Sequence, residues 1–118
     1  LLVDDEDMII EVAEQLLEHL GYRVLMAGSG EEAIKIYQEK SQHIDMVILD
    51  MVMPEMGGGE TYDALKMLNS KVKVLLSSGY SIDGQATEIL GRGCNGFIQK
   101  PFKVEAFSQK LREILDEM

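Results

Sequence analysis

A chain of 118 residues that is 46% hydrophobic and 27% charged is the size and composition of one globular domain, with enough apolar mass for a core without disulfides or a structural metal. The formal charge of −10 argues against nucleic acid and anionic membrane as partners, and is compatible with a divalent cation or a basic protein. No apolar run nears the roughly 20 residues of a membrane helix, Leu1-Leu2-Val3 meets acid at once instead of forming a signal peptide, and the lone Cys94 fits a reducing compartment and a small, partly buried thiol.

Leu1-Leu2-Val3 reads as the last part of a first strand, cut short against a mean length of about 5–6 residues. Asp4-Asp5-Glu6-Asp7 follows; Asp7 suits capping and dipole compensation at a helix start, whereas Asp4 and Asp5 stand at the strand end itself. The spacing predicts a helix over residues 8–20 with Ile9, Val12, Leu16 and Leu20 on one stripe and Gly21 as its stop. A second strand is expected over 22–27 and a second helix over 31–39, with Ala33, Ile36 and Tyr37 facing inward. Met46 to Leu49 is a short apolar run bounded by turn formers, a strand buried on both faces, and it ends in Asp50. After the Pro/Gly-rich loop, Gly57-Gly58-Gly59 suggests a mobile entry to a third helix over 60–68. A fourth strand is expected over 72–76, a fourth helix over 83–92, a fifth strand over 96–99 and a last amphipathic helix over 104–115 with Val104, Phe107, Leu111, Ile114 and Leu115. Strict alternation of strand and helix, without linker or repeat, predicts an α/β fold: a doubly wound parallel sheet with helices on both faces.

In such a sheet the carboxyl ends of the strands share one edge, where ligands bind. That edge would gather Asp4 and Asp5 from the first strand, Asp50 from the third, Ser77 and Ser78 from the fourth and Lys100 from the fifth. Two carboxylates about 4 Å apart repel by roughly 4 kcal/mol at an effective dielectric near 20, so the cluster either takes up protons or binds a cation. Hard oxygen donors without His or Cys point to Mg²⁺ or Mn²⁺. Lys100 is either a structural ion-pair partner of Asp50 or a compact cation for a phosphoryl oxygen. A carboxylate beside a metal and a lysine is equipped to attack phosphorus and form an acyl phosphate.

The blocks LLVDDE, VILDMVMPEMGG, LLSSGYS and GFIQKPF, in this order and spacing, resemble a response-regulator receiver domain of bacterial two-component signalling over essentially the whole of residues 1–118. The resemblance implies a flavodoxin-like sheet of order 2-1-3-4-5. It implies that Asp50 accepts a phosphoryl group, that Asp5 is the main acidic metal ligand with Asp4 assisting, and that the Val52 backbone carbonyl is a third protein ligand. Ser78, followed by Gly79, matches the switch hydroxyl, Phe97 the aromatic switch position and Lys100 the family lysine, whose bond to Pro101 is commonly cis. Two positions depart from the best-studied members: Val52 lacks a polar side chain, and Phe97 lacks a tyrosine hydroxyl. With the bulky Tyr80, Val52 implies slow access of water to the phosphoryl group.

The partners implied are a histidine kinase or a histidine phosphotransfer domain in a bacterial cytoplasm, with a homodimer through the face of the fourth helix, fifth strand and last helix as a further expectation. The isolated domain would not be an enzyme beyond slow hydrolysis of its own phosphoryl group. The SSGYS and GFIQKPF wording resembles receivers at the carboxyl end of hybrid sensor histidine kinases. Three rival readings compete. A dehalogenase-type Mg²⁺ phosphatase wants a second aspartate where Val52 stands. A flavodoxin-like cofactor site would be repelled by Asp4-Asp5-Glu6. A pseudo-receiver would keep the fold without phosphorylation. His19 and His43 lack ligand spacing and read as surface residues, while Met51, Met53 and Met56 are candidates for partner contact.

Overall fold

The computed structural model describes residues 1–79, 84–100 and 102–116. Five strands, β1 (Leu2–Val3), β2 (Met26–Ala27), β3 (Val47–Asp50), β4 (Val74–Ser78) and β5 (Gly96–Gln99), form one parallel sheet in the order β2-β1-β3-β4-β5. The α/β doubly wound sheet expected from the alternating pattern is found, and so is the flavodoxin-like strand order that the family resemblance implies. Five helices cover it: α1 (Asp7–His19), α2 (Gly30–Lys40), α3 (Gly58–Leu68), α4 (Gly84–Gly91) and α5 (Val104–Leu115).

The two-residue period of a strand divides the core. Val47 and Leu49 of β3, with Val74 and Leu76 of β4, face Ala33 and Tyr37 of α2, Tyr62 and Leu65 of α3, and Ala86 and Ile89 of α4. Ile48 and Leu75 face the other way, onto Ala13 and Leu17 of α1 and Phe107, Leu111 and Ile114 of α5. All four β3 residues are buried, as a central strand covered on both faces requires.

The boundaries depart from expectation where neighbours overrule composition. Only Met26–Ala27 of the expected second strand is paired, because β2 is an edge whose one neighbour, β1, offers two residues. The fourth strand lies two residues later than its apolar run: Ser77 pairs with Asp50 and Ser78 with Gln99, so both serines are buried strand residues. Glu6, not Asp7, is the N-cap of α1, and its side chain makes no capping bond; Asp7 lies within the first turn. Gly21 ends the helix with φ +96°, its N–H donating to the Glu18 carbonyl. The buried stripe of α1 runs through Ala13 and Leu17, and Val12 is exposed; on α5, Val104 is exposed as well. The expectations for Tyr80, Pro101 and the Asp83 start of the fourth helix lie outside the described residues.

Candidate functional site

The ends of β1, β3 and β5 place four charged side chains together. Lys100, just past β5, has its Nζ 2.6 Å from Asp4 Oδ2 and 3.2 Å from Asp50 Oδ1. Asp4 is 1% and Asp50 3% exposed, so these are charge-assisted contacts in a nearly dry pocket. The backbone organises it further: Glu6 N–H donates to Asp4 Oδ1 at 3.0 Å, Val52 N–H reaches Asp50 Oδ1 at 3.4 Å, and Lys100 N–H donates to the Ser78 carbonyl at 2.7 Å.

Burial pushes the Asp50 carboxyl up from 3.8 to about 6, the neighbouring Asp4 adds to the rise, and Lys100 and the Val52 N–H oppose it. For Lys100, burial acts against the charge, but the bonds to Asp4 and the charge of Asp50 outweigh it and hold the ammonium above its ordinary value. One ammonium therefore serves two buried carboxylates, and the cluster keeps excess negative charge.

Carboxylate oxygens of Asp4, Asp5 and Asp50 all lie within 4.8 Å of one another, a set that could hold a metal ion. The donor chemistry fits a hard divalent cation: carboxylates only, with Asp5 exposed at the rim where water completes a coordination shell. Both Asp4 oxygens are already engaged, by the Glu6 N–H and by Lys100, whereas Asp5 stands open. Asp4, Asp5, Asp50 and Lys100 are thus brought into one pocket, with the Val52 backbone beside Asp50. Ser78 is fully buried at the end of β4, while the Ser77 hydroxyl donates to the Leu49 carbonyl at 3.4 Å. Phe97 pairs with Leu76 in register and packs half-buried against the core that holds α4.

Two expectations need correction. Met51 and Met53 are buried in the core cluster and unavailable to a partner; among the described residues Met8 and Met67 are strongly exposed. The glycine run is also not loosely attached. Gly58 begins α3 and its N–H donates to the Met51 carbonyl at 2.9 Å. A Cβ on Gly58 would lie 2.7 Å from Met51 Cα and 2.9 Å from the Asp50 carbonyl oxygen. Gly58 is therefore a residue of the site that composition alone had disguised as a flexible joint.

Comparison with known proteins gives the family and the fold. The family described as "Response regulator receiver domain" matches residues 1–112. The chain is 34% identical to the sensor kinase CckA of Brucella abortus over 99% of its own length and 12% of CckA. It is 34% identical to the transcriptional regulatory protein ZraR of Klebsiella oxytoca over 98% of its length and 26% of that protein. The chain thus spans only a minor part of these relatives. Among solved structures, a response regulator receiver domain protein from Clostridium thermocellum superposes with a TM-score of 0.92 at 28% identity, covering 98% of this chain and 91% of that one. CheY of Borrelia burgdorferi, solved in a CheX-CheY-BeF3-Mg complex, gives 0.92 at 25% identity over 98% and 87%. With its sheet order, its acid cluster and its late lysine in place, the chain belongs to the response regulator receiver domain family of two-component signalling.

Proposed function

We propose that this domain accepts a phosphoryl group on Asp50 from a phosphohistidine of a histidine kinase or phosphotransfer domain. The observation that carries this reading is the pairing of Lys100 with both Asp4 and Asp50 inside a cluster of three carboxylates. An Asp50 oxygen attacks phosphorus in line, the P–N bond breaks, and its electron pair returns to the imidazole, leaving an acyl phosphate on the domain. Lys100 moves from carboxylate to phosphoryl oxygen, which needs only a small displacement at the distances seen. Asp5, Asp4, Asp50 and the Val52 carbonyl would hold Mg²⁺ (or Mn²⁺), which supplies positive charge against the phosphoryl oxygens.

Buried Ser78 and half-buried Phe97 are the switching residues in this account. The new dianion draws the Ser78 hydroxyl, Phe97 repacks, and the face of α4, β5 and α5 changes its affinity for partners, including a second copy of the domain. This is a population shift between two states. Val52 is 54% exposed beside the pocket, an apolar side chain where a polar one would recruit water, so phosphoryl loss is slow. The parent chain is a hybrid sensor kinase, a regulator with its own output domain, or a free-standing receiver.

The test is phosphotransfer. A phosphorylated histidine-kinase core mixed with the domain and Mg²⁺ passes its label to Asp50, and the label persists well beyond seconds. Loss within seconds contradicts the slow-water argument. Failure to take label from any phosphohistidine donor, with the fold intact, favours the pseudo-receiver reading.

A further inference from the structure

The amino ends of β3 and β4 lie at the edge of the sheet away from Asp50, and a second set of polar groups collects there. Asn69 caps the carboxyl end of α3. Its Oδ1 accepts from the Lys71 N–H at 2.9 Å, closing a local turn through Ser70, and its carbonyl accepts from the Val72 N–H at 3.0 Å. With Oδ1 held by Lys71, the amide nitrogen is the end that meets Tyr37 of α2, and Nδ2 donates to Tyr37 Oη at 3.0 Å.

That orientation decides what the tyrosine can do. A phenol oxygen that accepts from Asn69 still carries its own proton, and no group among the described residues accepts it. Tyr37 is 2% exposed, so what its proton can reach is the cavity of about 310 Å³ that it lines together with Lys71 and Lys73. Lys73 Nζ donates to the Leu115 carbonyl at 3.0 Å, which keeps that ammonium at the wall. Lys71 has no ion-pair partner among the described residues. Asp45 is the one carboxylate among the described lining residues, so the two ammoniums outnumber it in a chain whose formal charge is −10. Met46, Val72 and Leu115 add apolar wall.

We propose that this cavity binds a small carboxylic acid as its anion. A carboxylate oxygen accepts the Tyr37 proton, Lys71 and Lys73 supply the countercharge, and the apolar body of the acid lies against Val72 and Leu115. Hydrogen bonds to an ionised acceptor are the strong class. A concave site of this size, with apolar walls and a few convergent polar groups, has the usual form of a small-molecule pocket. It stands at the opposite ends of the strands that carry Asp50 and Ser78, and it does not depend on phosphoryl transfer to Asp50.

The experiment titrates para-fluorobenzoate into the ¹⁵N-labelled domain and reads ¹⁹F and amide resonances together. Saturable binding is expected with a Kd of about 1 mM or tighter. Amide shifts should centre on residues 44–46 and 69–73, and para-fluorobenzamide, the neutral analogue, should leave them in place. Tyr37→Phe keeps the ring and removes the proton; it should weaken binding about tenfold, the effect of one hydrogen bond to a charged group. Asn69→Asp acts on the same proton from the other side: an aspartate there accepts it, so binding should be lost although the hydroxyl remains. Lys71→Gln should weaken binding several-fold and reduce its salt dependence. Should a variant fail to fold, the unsubstituted domain still decides, because the shifts locate the site and the neutral analogue tests the need for charge. No saturable binding by about 10 mM, equal binding of acid and amide, or shifts centred on residues 50–52 and 100 each overturn the proposal. Unchanged affinity in both Tyr37→Phe and Asn69→Asp overturns it as well.

Discussion

Lys100 sits closer to Asp4 than to Asp50, at 2.6 Å against 3.2 Å. The lysine therefore braces the two acids against each other, and it does so in a site where its own side chain is only 9% exposed.

Replacing it should expose that role. In Lys100→Met two buried carboxylates lose their shared cation, and removal of one member of a buried ion pair costs about 3 kcal/mol or more. Part of the loss should disappear as the pH falls and Asp50 takes up a proton instead, and this relief should begin above pH 6, because Lys100 is one of the groups that hold the Asp50 carboxyl down to about 6 in the wild type. A divalent cation should restore stability as well: bound only by the folded state, at a hundred times its dissociation constant it contributes about 2.7 kcal/mol. Urea unfolding with and without Mg²⁺ checks both. Equal stability of variant and wild type in the absence of metal would show that the lysine carries no such load.

The pH dependence of the metal-free domain has a definite sign. The folded carboxyl of Asp50 titrates near 6, above the 3.8 of an unperturbed group, so the folded state binds the extra proton in between. Its contribution to stability is fully present below about pH 4 and is lost as pH rises through about 6. Asp50→Asn removes the ionised form. It should stabilise the metal-free domain at neutral pH by about 1–3 kcal/mol, since each tenfold change in proton affinity between the folded and unfolded chain is worth roughly 1.4 kcal/mol, with little gain at pH 4. Denaturation midpoints across this range provide the measurement.

Two glycines should respond oppositely to alanine. Gly58→Ala forces a Cβ against Met51 Cα and the Asp50 carbonyl, where only backbone can give way. It should cost about 1–3 kcal/mol, as overpacking does, and weaken Mg²⁺ binding by displacing the acceptor strand. Gly91→Ala, at the end of α4 with nothing within 4 Å of its Cβ, should be neutral or stabilising by up to about 1 kcal/mol. Calorimetry and metal titration on the pair separate the two effects.

Most of the frame was legible in the chain because periodicity and punctuation agree: β3 as an apolar run between turn formers, α5 as an amphipathic stripe, Gly21 as a helix stop. The convergence of Asp4, Asp5, Asp50 and Lys100 follows from topology alone, since parallel strands present their carboxyl ends on one edge. What escaped depends on neighbours. Ser77 and Ser78 read as the carboxyl end of a strand over 72–76, but they are paired residues within β4, because Asp50 and Gln99 stand opposite them. Val12 carries an apolar side chain yet points away from the core, since the stripe through Ala13 and Leu17 is the one that meets the sheet. Gly58 read as freedom, and its necessity appears only when the Asp50–Met51 backbone is seen pressed against it.

If this pocket, with its cation, directs a phosphoryl group onto one aspartate, the adduct can be weighed. Intact-mass analysis after incubation with acetyl phosphate and Mg²⁺ tests it most directly. A single hydroxylamine-labile phosphoryl adduct should form on the wild-type domain, and should be absent from Asp50→Asn and from wild type treated with EDTA. An adduct that persists in Asp50→Asn, or forms equally well without a divalent cation, would contradict the account.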